Sequence, residues 1–231
     1  MRGQIKDLKN RPLAINRLGF SLALAPHLKN SELDGEINFI VSLFADQNAT
    51  KISKNYKKDN SAYNHDFIDV IDFLDYNETI KNFAVLNLRE NISIKPTSIR
   101  FYPNDDLASH IIGYVGRANT KDIEDEPITK LTGYIGRSGV ESFYNEILQG
   151  NAGEVKSKVT ALNKTIAEIA SKKPESSDIK LTIDLELEEF LRDLFKDKAG
   201  AVIIMDLKDG AILAAGSYPE FSLNSFVNGI S

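Results

Sequence analysis

The chain has no cysteine among its 231 residues. That excludes disulfides, thiolate metal sites and cysteine nucleophiles. It fits a reducing cytosol and a disulfide-free periplasmic protein alike, so it assigns no compartment. Histidine is scarce: His27, His65 and His110 stand apart without metal-ligand spacing, and the acidic residues form no EF-hand pattern. No cofactor is expected. No apolar run approaches the ~20 residues a membrane-spanning helix requires, and no apolar stretch follows Met1-Arg2-Gly3-Gln4 as it would in a signal peptide. Positive charge is in deficit as well. With 28 basic against 33 acidic residues the net charge is −5, which lacks the basic footprint of a phosphate-neutralising protein. Nucleic acid is not an expected partner.

What is present is ordinary for a globular protein: 42% hydrophobic and 26% charged residues, enough for one large or two small domains. Residues 2–16 read as two short strands around Lys9-Asn10-Arg11-Pro12, and 20–24 as a further strand ended by Pro26. Ser31 is placed to cap a helix carrying Leu33, Ile37, Ile40, Val41 and Phe44 at helical spacing. The lysine-rich stretch 46–64 reads as an exposed loop, and Phe67, Ile68, Ile71, Phe73 and Leu74 as a second helix. Residues 84–88 and 92–101 read as extended, 107–114 as a short helix and 122–129 as an acidic loop. Ser138 with Glu141 three residues on has the capping-box pattern of a helix ended by Gly150. Two strands flank Asn163-Lys164, and a polar linker with Pro174 follows. A helix is expected from Leu185 to about Phe195, then a hairpin across Lys208-Asp209-Gly210. The similar stretches Gly-Tyr-Val-Gly-Arg from Gly113 and Gly-Tyr-Ile-Gly-Arg from Gly133 are too few for a repeat architecture and read as a coincidence of turns. The expected class is α+β with an elongated outline.

Five collinear stretches carry a resemblance. They are Arg2-Gly3-x-Ile5-x-Asp7 with Pro12-Leu13-Ala14; Arg100-Phe101-Tyr102-Pro103 with Leu107-Ala108-x-His110-x-Ile112-Gly113-Tyr114-Val115-Gly116; Gly136-Arg137-Ser138-Gly139-Val140-Glu141; Leu181-Thr182-Ile183-Asp184; and residues 200–219 ending in Phe226-Val227-Asn228-Gly229-Ile230-Ser231. In this order they resemble the class B penicillin-binding proteins, most closely the elongation-type (penicillin-binding protein 2) subfamily. The family usually has Arg-Asn-Gly after the first Asp; here Leu8-Lys9-Asn10 stands instead, and Asn is the next-best residue for a left-handed turn. The resemblance implies a non-catalytic pedestal of the dimerisation type over residues 1–25 and 83–171, a small mostly helical head insert over 26–82, and a linker with the first elements of a transpeptidase domain over 172–231. It implies an MreC-type scaffold as partner of the head and a RodA-type SEDS glycosyltransferase as partner of the pedestal. It further implies the periplasmic face of the inner membrane, an anchor upstream of Arg2, and a serine D,D-transpeptidase whose catalytic motifs lie beyond Ser231. The chain as given is then expected to be no enzyme.

Arg2, Arg100 and Glu141 read as a structural ion-pair network, because buried charges need partners. His110, beside Ile111 and Ile112, reads as a structural histidine rather than a catalytic base, and Gly113 and Gly139 as backbone positions that glycine reaches cheaply. Two matches to catalytic motifs fail on context. Ser177-Asp178-Ile179-Lys180 satisfies Ser-x-x-Lys, but Lys180 opens a strand, where positions i and i+3 face opposite ways. Ser222-Leu223-Asn224 satisfies Ser-x-Asn, yet no Lys-Thr-Gly or Lys-Ser-Gly follows. A minimal hydrolase using Ser177 would be labelled by a β-lactam, and a self-contained interaction protein reusing the pedestal is the other alternative. Four N-glycosylation tripeptides begin at Asn48, Asn77, Asn91 and Asn163; Asn48 and Asn77 also have an acid two residues earlier, as in bacterial N-glycosylation acceptors, and are the candidate modification sites.

Overall fold

The structure, a computed structural model, describes residues 1–159 and 165–227. Asn163-Lys164 and Asn228-Gly229-Ile230-Ser231 lie outside them. The chain divides into two compact units, Arg17–Ile99 and the combination of Met1–Asn16 with Arg100–Ser231. The 26–82 segment expected as a head lies within the first. Elements pair and pack in an α+β arrangement.

Strand β1 (Ile5–Lys6) pairs antiparallel with the start of β2 (Pro12–Leu24) in the register Ile5↔Ala14 and Lys6↔Pro12. The turn between them is built on Asp7, whose side chain is fully buried. One Asp7 carboxylate oxygen accepts the Lys9 and Arg11 amides at 2.9 and 2.7 Å, and the other accepts Arg11 Nε at 2.7 Å. Burial alone would push this carboxyl up, but the Arg11 and Lys9 hydrogen bonds outweigh it and hold it below the usual range. Asn10 takes the left-handed conformation, φ 64°, expected of it where the family has glycine nearby.

The Arg17–Ile99 unit contains the rest of β2, helices α1 (Asn30–Leu43) and α2 (Ala49–Asp59), strand β3 (Ile68–Asp75), helix α3 (Tyr76–Asn87) and most of β4 (Ile92–Phe101). Strand β2 pairs antiparallel with β3, Phe20 opposite Leu74 and Leu24 opposite Ile68. Leu22, Leu24, Ile37, Ile40, Phe44, Ile52, Ile68 and Leu86 are among the residues closing its core. Three expectations are corrected here. The stretch expected as a second helix is the strand Ile68–Asp75: Ile68, Val70 and Leu74 are buried while Asp69 and Asp72 are exposed, and its β-branched residues favour the pleated form. The 46–64 stretch contains a helix because Asn48 caps it, Oδ1 accepting the Thr50 and Lys51 amides, while Ile52 and Tyr56 face inward. Residues 84–87 are helical rather than extended, carried by a helix that Asp75 caps through the Asn77 and Glu78 amides. Helix α1 starts at Asn30, one residue before the expected Ser31 cap, and Glu32 Oε2 accepts the Lys29 amide at 2.9 Å.

In the other unit the expected 107–114 helix shrinks to α4 (Ser109–Ile112), bounded by left-handed Ala108 and positive-φ Gly113. Strand β5 (Val115–Arg117) comes next, and the expected acidic loop holds helices α5 (Thr120–Asp125) and α6 (Thr129–Thr132). Then follow β6 (Tyr134–Gly136), α7 (Gly139–Phe143) and α8 (Asn145–Gln149), so Tyr144 divides the single helix expected here. The two similar Gly-Tyr-x-Gly-Arg stretches are not a coincidence of turns. They supply the two strands of one ribbon, Val115 opposite Gly136 and Arg117 opposite Tyr134. Strands β7 (Glu154–Val159) and β8 (Thr165–Lys172) form a hairpin, and β9 (Ile179–Lys180) pairs parallel with β1. Helix α9 (Leu185–Leu194), capped by Asp184, packs on the hairpin of β10 (Gly200–Met205) and β11 (Ile212–Tyr218). Helix α10 (Asn224–Val227) ends the described chain.

Candidate functional site

The polar centre of the larger unit gathers residues from three distant parts of the sequence. Glu141 is fully buried at the start of α7. Its Oε1 accepts Arg100 Nε at 2.6 Å and the Tyr102 hydroxyl at 3.3 Å, and its Oε2 accepts Arg2 Nε at 2.7 Å. Arg100 Nη1 donates to the Gly3 carbonyl at 2.7 Å, and Arg2 donates to Asn145 Oδ1 and to the Glu141 carbonyl. Burial pulls the Arg2 guanidinium down from its ordinary value, against the pull of Glu141 and with the repulsion of Arg100. Burial and the Glu141 charge push the Tyr102 phenol up, so it stays neutral, donating to Glu141 while its oxygen accepts the Val115 amide. Both Glu141 oxygens are thus engaged by the protein's own donors. The group binds chain segments together and has no oxygen turned to a substrate. Ser138 does not form the expected capping box, because Glu141 turns inward to arginines 139 and 41 residues away.

Gly113 and Gly139 come together beside this centre, with φ of +68° and +58°. A Cβ on Gly113 would lie 2.0 Å from the Ser138 carbonyl oxygen, and one on Gly139 2.4 Å from that of Ile111. His110 is not part of the network. It is exposed, and its ring meets Phe221 edge to face at 4.9 Å between centroids.

A second polar seam was not foreseen. Asp105, in a positive-φ conformation, accepts Ser222 Oγ, the Asn224 amide and Asn224 Nδ2 on one carboxylate oxygen, at 2.9, 3.1 and 2.8 Å. Asn224 also exchanges two hydrogen bonds with the Tyr102 backbone. Glu220 Oε1 accepts the Ala108 amide at 2.9 Å. The Ser222-x-Asn224 pair that resembles a catalytic motif is therefore a splice between the 102–109 loop and the chain leaving β11. Its only sequence signal was two turn-forming stretches rich in Asn, Asp and Ser, which named no partner. Ser177 lies in the extended segment before β9, its amide on the Ile147 carbonyl, and not at a helix start.

The sequons differ in surroundings. Asn48 and Thr50 are both exposed at the start of α2. Asn77 is exposed, but Thr79, which a transferase must read, is fully buried with its hydroxyl on the Asp75 carbonyl at 2.8 Å. Asn91 Nδ2 donates to Glu36 at 3.1 Å, and Asn163 lies outside the described residues. In a host with a periplasmic oligosaccharyltransferase, Asn48 is expected to carry glycan and Asn77 and Asn91 to stay bare, although Asn48 and Asn77 share the acid signal. Intact-mass analysis of native protein checks this, each glycan adding a discrete increment; modification at Asn77 alone would reverse the ranking.

These arrangements can be set beside known proteins. The model of the penicillin-binding protein dimerisation domain matches residues 1–181. The chain belongs to this penicillin-binding protein family. It is similar to the peptidoglycan D,D-transpeptidase MrdA of Haemophilus influenzae, 32% identical over all of this chain and 36% of that protein. It is likewise similar to MrdA of Escherichia coli K12, at 31% over all of the chain and 37% of the relative. The chain therefore spans about a third of these curated relatives. Its fold superposes on penicillin-binding protein 2 (PBP2) of Helicobacter pylori, solved in a complex with MreC, with TM-score 0.88, 37% identity, and coverage of 100% of this chain and 44% of that one. This region is the N-terminal, dimerisation-domain part of a PBP2-type protein. All of the Arg2–Arg100–Glu141 centre falls within the 1–181 match.

Proposed function

We propose that this region is the non-catalytic part of a PBP2-type peptidoglycan D,D-transpeptidase, which positions the catalytic part and binds partners of cell-wall elongation. The observation that carries the reading is the whole-chain superposition on a PBP2 that was solved with MreC. The proposed location is the periplasmic face of the inner membrane, with the chain anchored by a preceding helix; among the described residues no helix is long and apolar enough to cross a membrane. In the proposed division of labour, the insert expected over residues 26–82, which lies within the Arg17–Ile99 unit, acts as the head for an MreC-type scaffold, and a RodA-type glycosyltransferase meets the pedestal, expected over residues 1–25 and 83–171.

A surface suited to the head role lies on α3. Tyr76, Ile80 and Phe83 recur at i, i+4 and i+7 and are 36–47% exposed, while Thr79 and Leu86 face the core. Phe20 stacks on Tyr76 at 5.6 Å and leans on Phe83 at 6.0 Å, which braces the stripe from β2, and Leu18 adds an exposed apolar neighbour on the same strand. Such a helix face is a familiar protein-docking surface, and its anchors usually dominate the binding energy. Ile80→Asp is expected to weaken capture of an MreC-type partner about 30-fold, the effect of losing a ~2 kcal/mol anchor, while stability stays within about 0.5 kcal/mol. Undiminished capture would remove α3 from the interface.

A further inference from the structure

Where β11 ends, the larger unit buries acidic groups without giving them counter-charges. Glu188 on α9 is fully buried; its Oε1 accepts the Ala215 amide at 2.8 Å, and its Oε2 has no hydrogen-bond partner among the described residues. The Tyr218 hydroxyl and Glu220 Oε2 are likewise buried and unpartnered. The groups facing Glu220 come from three directions. Asp106 lies on the 102–109 loop, Glu188 and Arg192 on α9, and the Ala108 amide below it. Arg192 is the one cation in this set. It is shared with Asp106, 3.5 Å away, and both side chains are over 40% exposed, so solvent weakens its hold on the acids.

The Glu220 contact is also a structural fastening. Ala108, which presents the amide that Glu220 receives, sits at φ 55°, a conformation costly for a residue with a Cβ. Next to it, Ser109 Oγ accepts the Phe221 amide at 3.4 Å, and Leu223 donates to the Asp105 carbonyl at 3.4 Å. The chain leaving β11 is therefore sewn to a strained loop at positions 220–224. The first stitch is a carboxyl group whose second oxygen is closed off from solvent and on whose charge Asp106 and Glu188 act unfavourably.

We propose that Glu220 is a proton-operated latch: in its neutral form it seats the 218–224 segment on the 102–109 loop, and its ionisation loosens that seam. A neutral carboxyl keeps the Oε1 acceptor for Ala108 and removes the repulsion from Asp106 and Glu188. An ionised one leaves a charged, buried and unpartnered oxygen that Asp106 and Glu188 repel. In agreement, burial first, and Asp106 and Glu188 next, push this carboxyl up to about 7, against the opposing Ala108 hydrogen bond and Arg192. Because the folded-state value exceeds the ordinary 4.5, the seam's extra stability is full below about 4.5 and is lost as the pH climbs towards about 7. A protein facing the outside of a cell meets such pH changes, whereas cytosolic pH is buffered.

The test follows the Glu220 side-chain carboxyl by carbon-detected NMR through pH 4–9 on the full chain. Hydrogen exchange of the Ala108 and Leu223 amides is measured over the same range and corrected for intrinsic base catalysis. A carboxyl midpoint near 7, with protection at both amides falling several-fold across it, is the expected result. In Glu220→Gln, which keeps an acceptor for Ala108 but cannot ionise, protection should become flat with pH. An ordinary glutamate midpoint in the parent overturns the proposal without any variant. So does a pH-dependent loss of protection that persists unchanged in Glu220→Gln.

Discussion

Replacing Glu141 with alanine is expected to destabilise the chain by about 3–5 kcal/mol, the range for breaking a buried ion pair by removing one partner. The substitution strands two guanidiniums. Arg2 and Arg100 both converge on this one carboxylate, and their side chains are only 9% and 2% exposed. Without it they repel each other, and Tyr102 loses the acceptor for its hydroxyl. A loss of that size lowers the melting temperature of a chain this long by roughly 6–20 °C. Arg100→Ala should cost less, because Glu141 keeps Arg2 on Oε2 and the Tyr102 hydroxyl on Oε1, while the Gly3 carbonyl loses its Arg100 donor. A thermal melt of Glu141→Ala matching the parent would mean that the three groups do not depend on one another.

The second large effect is expected at Gly113 and Gly139. Each alanine would have to hold a positive φ, at about 1–2 kcal/mol, and would also drive a methyl group into a facing carbonyl, with overpacking adding about 1–3 kcal/mol. Since the facing atoms are backbone, no side chain can swing aside. A total of about 2–5 kcal/mol is expected for either substitution, seen as a drop in the denaturant midpoint with an unchanged slope. Gly210→Ala is the contrasting control: its φ is +76°, but nothing lies within 4 Å of the added carbon, so only the conformational part should appear.

These two sites show where sequence reading succeeds and where it stops. Helix α9, the β10–β11 hairpin and the left-handed Asn10 were legible because their signals are local: an Asp cap before an amphipathic run, Asp-Gly at a turn, and Asn where a glycine-like backbone is needed. Strand β3 was misread because Ile68, Ile71 and Phe67 satisfy a helical spacing as readily as a strand's, and only its pairing with β2 decides between them. Helix α2 was missed because Ile52 and Tyr56 are its sole buried residues, too few to show a period. That Arg2, Arg100 and Glu141 belong together came from the rule that buried charges need partners, and their geometry from the fold. The Asp105–Asn224 splice had neither. Its partners lie 119 residues apart, and each half looks like an ordinary turn. The paired Gly-Tyr-x-Gly-Arg stretches were visible as words, but two occurrences carry no architecture until their strands are seen side by side.

The parallel pairing of β1 with β9 sets an order of events during synthesis. Ile5 lies in register with Ile179, whose amide donates to the Gln4 carbonyl at 2.8 Å, so the sheet of the larger unit cannot close until that residue has been made. The Arg17–Ile99 unit is encoded entirely inside that span and has a hydrophobic core of its own residues. At ~5–20 residues per second, the roughly 80 residues between Ile99 and Ile179 take about 4–16 s to emerge, far longer than helices and hairpins need to form. The inserted unit therefore has time to fold first, while β1 can pair only with the start of β2 and its other edge and the Arg2 guanidinium wait for β9 and Glu141. A vectorially emerging chain of this design exposes an unsatisfied strand edge for seconds, which makes the β1 segment a natural place for a holding chaperone to act.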